Sequence, residues 1–436
     1  MSVETIPGTD IRYGLIGFDK DGRERDAGPK PTTAQLIERA ANEDISDIFF
    51  FCHGWKGDVP AARDQYNRWM GALMSSPGLQ RASTVFPGFK PLLIGLHWPS
   101  QPWGDEDVGG GGSSFGAPGG VSGEKLLNSM LAALGDEPAI RGPLETLIAE
   151  ARRSAAATRL PPVMAKAYLD LNAALGLESK GVEAPPDADR EGFDPEEMVA
   201  EGGDSFGDLN LGGVLGPLRQ LSYWTMKKRA RSIGEGGMHA FLKSLQSATA
   251  TRGTRIHLMG HSFGTIVISS MLGGPDARGP LARPVDSVAL VQGAVSLWCY
   301  ASKIPFGKGG AGYFNRVLTD NKVKGPISVT ISRFDKAVGV LYPFASKING
   351  SASFDVTLNK LPEYGAIGAF GIQGTGMGNE MKMQDAGGDY GFAKQRVYNI
   401  ESSQFICHGG GASGAHSDIA GPQVAHLIWE TAFASK

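Results

Sequence analysis

The chain has 436 residues, 41% of them hydrophobic, which is ample for a sizeable core and too many for general disorder. Its 42 basic and 45 acidic side chains leave a formal charge of −3, which argues against a protein built mainly to bind nucleic acid. The three cysteines, Cys52, Cys299 and Cys407, are far apart and exclude both a disulfide framework and a CxxC metal knuckle.

The first residues, MSVETIPGTD, lack the basic and apolar regions of a signal peptide. No apolar run approaches the roughly 18–20 residues of a membrane helix. A soluble, cytoplasmic protein is therefore expected. Ile11–Phe18 reads as a strand, and Asp19–Gly22 as a turn into a second one. Ile48–Cys52 is a continuous apolar run, as in a strand buried on both faces. Asp58 is placed to cap a helix with Pro60 in its first turn, and Ala62, Tyr66, Trp69, Met70 and Leu73 then share a face. Leu92–Trp98 is the next strand.

Residues 101–219 break this rhythm. They open with a glycine-rich linker, Gly109–Ser114, and continue with candidate helices at Lys125–Leu134, Pro143–Ala157 and Val163–Leu175. From Glu178 to Asp208 the chain is acidic, with 11 Asp and Glu against Lys180 and Arg190. Asp187, Asp189 and Glu191 alternate as in a calcium loop, but Met198 stands where a bidentate Glu is needed and Pro195 intrudes. The run is read as a solvated acidic loop. Domain organisation follows: 1–100 with 220–436 as one main domain, and 101–219 as an insertion forming a cap.

Strand-like runs return at Ile256–Met259, Ser287–Val291, Ile327–Ser332 and Val397–Ile400, with helical patterns at Met238–Leu245 and Val424–Ala432. Short apolar runs alternating with helices predict an α/β fold with a mostly parallel sheet and helices on both faces. Gly260-His261-Ser262-Phe263-Gly264 lies between the strand Ile256–Met259 and a helix-compatible stretch, Thr265–Leu272. This is the context of a G-x-S-x-G nucleophile elbow, whose turn projects the serine hydroxyl above the sheet edge. Side chains at Gly260 or Gly264 would collide with the neighbouring strand and helix.

On these residues the chain resembles the α/β-hydrolase superfamily, and its esterases and lipases in particular. The resemblance covers about residues 45–100 and 220–435. It implies an oxyanion hole from the N–H of Phe263 and, after the strand ending in Cys52, the N–H of Trp55 in His53-Gly54-Trp55. His53 is assigned a bracing role, and Cys52 a place in the core. The superfamily's order of Ser, acid, His points to Asp335, directly after the strand Ile327–Ser332, as the orienting acid. Three histidines follow the last strand. His426 is placed opposite the apolar stripe of the last helix, pointing away from the core. His416 lies in the loop before that helix, with Asp418 as its N-cap, and is chosen as the base over His408. The expected activity is cleavage of a small-molecule or lipid-like carboxylic ester through Ser262, His416 and Asp335. A peptidase, thioesterase or acyltransferase would use the same residues, and a non-catalytic scaffold would need none of them. No HExxH, Cys/His spacing or phosphate loop points to a metal or cofactor.

Overall fold

The computed structural model describes residues 3–25, 29–54, 59–100, 123–153, 159–201, 211–340 and 361–436. The chain divides into two compact units. One contains Met1–Ser100, Val182–Pro186 and Arg229–Lys436, and the other Gln101–Gly181 and Asp187–Lys228.

The larger unit is α/β. Among the described residues its strands are β1 (Val3–Thr5), β2 (Arg12–Gly17), β3 (Asp47–Cys52), β4 (Pro91–His97), β5 (Arg255–His261), β6 (Ser287–Val291), β7 (Ile327–Ile331), β8 (Gly378–Lys382) and β9 (Val397–Glu401). They form one sheet in the order β1-β2-β4-β3-β5-β6-β7-β9-β8. Only the β1–β2 pair is antiparallel. The strand expected after the Asp19–Gly22 turn reduces to one bridge, Phe18 to Glu24. Asp19 Oδ1 accepts the N–H groups of Asp21 and Arg23, so the turn closes on itself and does not extend a ladder.

β3 explains why an unbroken apolar run is a strand here. Successive side chains face opposite sides of the sheet. Phe49 and Phe51 pack edge-on against Trp429 and Trp69, while Phe50 meets Phe241 on the other face. All six residues of β3 are buried, so neither face can carry polar alternation. Asp47 at its start is tolerated because Arg255 clasps it bidentately, with both contacts at 2.7 Å. The last helix, Pro422–Phe433, is buried along all of Val424–Phe433. This corrects the outward placement of His426, whose Nε2 lies 2.6 Å from Gly388 O. Periodicity cannot identify an exposed face on a helix that has none.

Chain order sets the position of the site. From β3 the chain moves outward to β4 on one side, then crosses to β5 on the other. The carboxyl ends of β3 and β5 therefore flank a switch point, where parallel sheets leave a crevice for ligands.

In the second unit the helices are Gly123–Leu134, Pro138–Arg153, Pro162–Ala174 and Pro195–Glu201, with residues 211–228 of the helix Leu211–Ile233. The second helix starts before its expected position and carries Pro143 inside, losing one backbone bond there. Gly109–Ser114 lies outside the described residues. The acidic run is not wholly solvated as expected. Asp189 is buried and pairs at 2.8 Å with Lys227, which is also fully buried. Burial pushes the Asp189 carboxyl up to about 7, with Lys227 opposing the shift. Arg190, from the same run, donates to Asn172 Oδ1 at 2.7 Å and to Glu178 O at 3.2 Å. Counting charges along the chain missed the counter-ion because it lies 38 residues away.

Lys227→Ala should lower stability by up to about 3–5 kcal/mol where Asp189 is ionised, because it then strands a buried carboxylate. Burial raises the folded Asp189 pKa, and removing Lys227, which opposes that shift, raises it further. The unfolded carboxyl ionises near 4, while the folded one keeps its proton to higher pH. The deficit should therefore deepen as pH rises, which urea unfolding at pH 5 and pH 8 would measure. An equal, small loss at both values would contradict the buried pair.

Candidate active site

Ser262 occupies the single residue position between β5 and Phe263, which precedes the helix Gly264–Gly273. Its φ is +55°, a left-handed value that strains any residue with a Cβ. The surroundings hold it there. Ser262 O accepts the N–H of Ala294 at 3.1 Å, the N–H of Thr265 at 3.1 Å and the hydroxyl of Thr265 at 2.6 Å. Ser262 N–H donates to Val291 O at 3.1 Å. Close packing accounts for the glycines. A Cβ on Gly264 would collide with Cys52 O, and one on Gly260 would lie 2.7 Å from Gly264 O. The elbow thus exists because strand, turn and helix are pressed together, and only glycine fits both contacts.

The loop after β3 meets the serine directly. A Cβ on Gly54 would strike Ser262 Cβ and lie 3.0 Å from Ser262 Oγ. His53 Nδ1–H donates to Gly54 O at 2.7 Å, and its Nε2 faces Trp98 N–H at 3.4 Å. Trp98 Nε1–H donates to His53 O at 3.0 Å, and Tyr66 OH accepts His53 N–H at 2.9 Å. His53 is therefore fully occupied in fixing this loop. Trp55, expected as an oxyanion donor, and Asp58, expected as a helix cap, lie outside the described residues. Cys52 is completely buried, and burial pushes its thiol well above the ordinary range. It is a neutral core residue.

Asp335 and His416 come from separate loops that are stitched together. Ala415 N–H donates to Phe334 O at 2.8 Å, and Ser332 Oγ–H donates to Ile406 O at 2.7 Å. Asp335 has its side chain fully buried. Its Oδ1 accepts Val338 N–H at 3.3 Å, so it also caps the short helix Lys336–Val340. Its Oδ2 accepts His416 Nδ1–H at 2.7 Å. That bond sets the tautomer that leaves Nε2 as an acceptor, and Ser262 Oγ–H donates to Nε2 at 2.7 Å. The three expected residues thus form one hydrogen-bonded line, although 154 positions separate Ser262 from His416.

His408 takes no part in that line. Its side chain is 83% exposed and its Nδ1 lies 3.2 Å from Asp418 Oδ2. Asp418 is not the helix cap expected of it. Gly421 holds the N-cap position, and Asp418 accepts the N–H groups of Cys407 and His408 at 3.0 and 2.8 Å. Its carboxylate closes the loop that carries His416.

One supporting residue was not anticipated. His261, the second residue of the motif, donates from Nε2–H to His416 O at 2.8 Å, and its Nδ1 accepts Gln65 Nε2–H at 3.0 Å. Its ring lies 4.8 Å from that of His416. The buried side chain pins the backbone of the base. A histidine at that motif position was the only available signal, since nothing in the sequence links Gln65 to either residue.

Gly54, Ser262, Asp335 and His416 lie in the segments that follow the carboxyl ends of β3, β5, β7 and β9. Chemically, the arrangement can take a proton from a serine hydroxyl and stabilise the resulting imidazolium. The chain matches no protein-family model, no curated protein and no solved structure.

Proposed function

We propose that this chain is a serine hydrolase of the α/β-hydrolase type, cleaving a carboxylic ester. The observation that carries the reading is the line Ser262 Oγ, His416 Nε2, His416 Nδ1, Asp335 Oδ2, with both contacts at 2.7 Å. A serine hydroxyl is a poor nucleophile unless a base takes its proton, and the base needs an oriented partner. A buried carboxylate, a histidine and a strained serine have no packing reason to align in this way.

In this reading Ser262 Oγ attacks the ester carbonyl while its proton passes to His416 Nε2. Asp335 stabilises the imidazolium. The tetrahedral oxyanion is met by Phe263 N–H, which stands at the start of the helix Gly264–Gly273 where donors and helix dipole converge. The resemblance assigns Trp55 N–H as the second donor. The alcohol departs with the proton from His416. Water then gives a proton to His416, attacks the acyl carbon, and Ser262 leaves protonated. The mostly parallel sheet supports the α/β-hydrolase assignment, as do the order Ser262, Asp335, His416 and the oxyanion loop after β3.

A fluorophosphonate probe tests the chemistry. It should form one covalent adduct, located at Ser262 by mass spectrometry. Esters of rising acyl length, run beside matched amides and thioesters, should show the ester turned over fastest. No adduct at Ser262 would overturn the hydrolase reading. An adduct with faster amide or thioester turnover would overturn the ester assignment alone.

A further inference from the structure

The loop between β9 and the last helix carries a second cluster that the hydrolase chemistry does not use. Cys407 and His408 stand at its opening and Asp418 at its close. One donor atom from each of the three lies within 4.8 Å of the other two. Cys407 Sγ is 3.6 Å from His408 Nδ1, and Nδ1 is 3.2 Å from Asp418 Oδ2. A tetrahedral zinc ion binds sulfur at about 2.3 Å and nitrogen or oxygen at about 2.0–2.2 Å, giving S···N and N···O edges of about 3.6 and 3.4 Å. The Sγ–Nδ1 and Nδ1–Oδ2 edges are close to these values, and the remaining edge, from Cys407 Sγ to Asp418, lies within 4.8 Å, so the loop need close only on that side.

Charge and softness agree with geometry. A thiolate, a carboxylate and a neutral imidazole together neutralise a divalent cation. Sulfur and imidazole ligands favour zinc-class ions over magnesium or calcium, which prefer oxygen alone. The ligands are also brought together before any ion arrives. Asp418 Oδ2 accepts the backbone N–H groups of both Cys407 and His408, so closing the loop holds the backbone of both residues against the carboxylate. Such preorganisation reduces the ordering cost of binding. The exposed His408 side chain leaves an entry path and a fourth position for water.

We propose that Cys407, His408 and Asp418 bind one divalent cation of the zinc class, and that its occupancy clamps the neck of the loop bearing His416. Asp418 is two residues from His416. Its N–H donates to Ala415 O at 3.0 Å, and Ala415 N–H in turn donates to Phe334 O, beside Asp335. A short path of backbone bonds therefore joins the cluster to both loops of the candidate site. The metal site stands on ligand geometry and does not depend on the hydrolase reading.

The test uses the full chain after treatment with a chelator. Calorimetric titration with Zn²⁺ should show one equivalent bound, and Cd²⁺ in its place should add the ultraviolet absorption of a thiolate–cadmium bond. Cys407→Ser and His408→Ala should each weaken Zn²⁺ binding by at least about tenfold, a loss seen even when an outer-shell partner is removed. Neither side chain is buried, so both variants should keep the wild-type far-ultraviolet circular dichroism. Zn²⁺ should also slow amide hydrogen exchange across residues 407–418 in the wild type. No Zn²⁺ binding, or wild-type affinity in Cys407→Ser, would overturn the site. Binding with unchanged exchange across 407–418 would overturn the clamp.

Discussion

Ser262→Ala is expected to lower ester turnover by about 10⁴- to 10⁶-fold and to abolish fluorophosphonate labelling, with little change in melting temperature. The large loss follows from chemistry. Without Oγ no acyl-enzyme forms, and His416 Nε2 loses the hydroxyl it accepts from at 2.7 Å. The small effect on stability follows from packing. The left-handed backbone at 262 is held by the Ala294 and Thr265 bonds to Ser262 O and by the bond to Val291 O. The substitution touches none of these, and alanine carries the same Cβ into the same conformation. A variant keeping more than about a tenth of wild-type turnover would contradict the assignment, since general base catalysis alone contributes about 10²–10⁴-fold.

His416→Ala should match that loss, and Ser262→Ala/His416→Ala should lose little more than either single variant. Members of one proton-transfer line act as a unit, so the second deletion finds nothing left to remove. His408→Ala is the control. Its imidazole is at the surface and makes no contact with Ser262 or Asp335, so in metal-free buffer turnover should fall by less than about a factor of ten. The comparison tests the placement of the last loop. If His408→Ala were inactive and His416→Ala active, the Ser262–His416 contact would not be the operative one. Additive losses in the double variant would equally count against a single line of transfer.

The elbow was legible because everything it needs is local. A strand, two glycines, a serine and a helix lie in one unbroken stretch, Arg255–Gly273, and the steric demand on Gly260 and Gly264 acts within it. Asp335 was legible from its position just after β7. His416 required a choice among three histidines, which rested on loop position and chain order. The same reasoning misplaced His426, because a helix buried on every side carries no polar stripe to read. It also misassigned Asp418, since a carboxylate near a helix start can bond either that helix or another strand of the same loop. Here Cys407 and His408, ten or more residues earlier, supply the donors.

Residue types, strand runs and the order of chemistry-bearing residues were settled by the sequence itself, because alternation of side chains and turn sterics act between near neighbours. What brings Ser262, Asp335 and His416 within hydrogen-bond reach is decided only in the folded sheet, where the ends of β5, β7 and β9 fall along one edge with β6 between β5 and β7. The same holds for the His261–Gln65 brace, the Asp189–Lys227 pair and the Cys407–His408–Asp418 cluster. In each, at least one partner lies ten or more residues from another, and the strength of the contact depends on burial and orientation. Neither quantity is a property of a residue's neighbours along the chain. Both arise when distant segments exclude water from the same place.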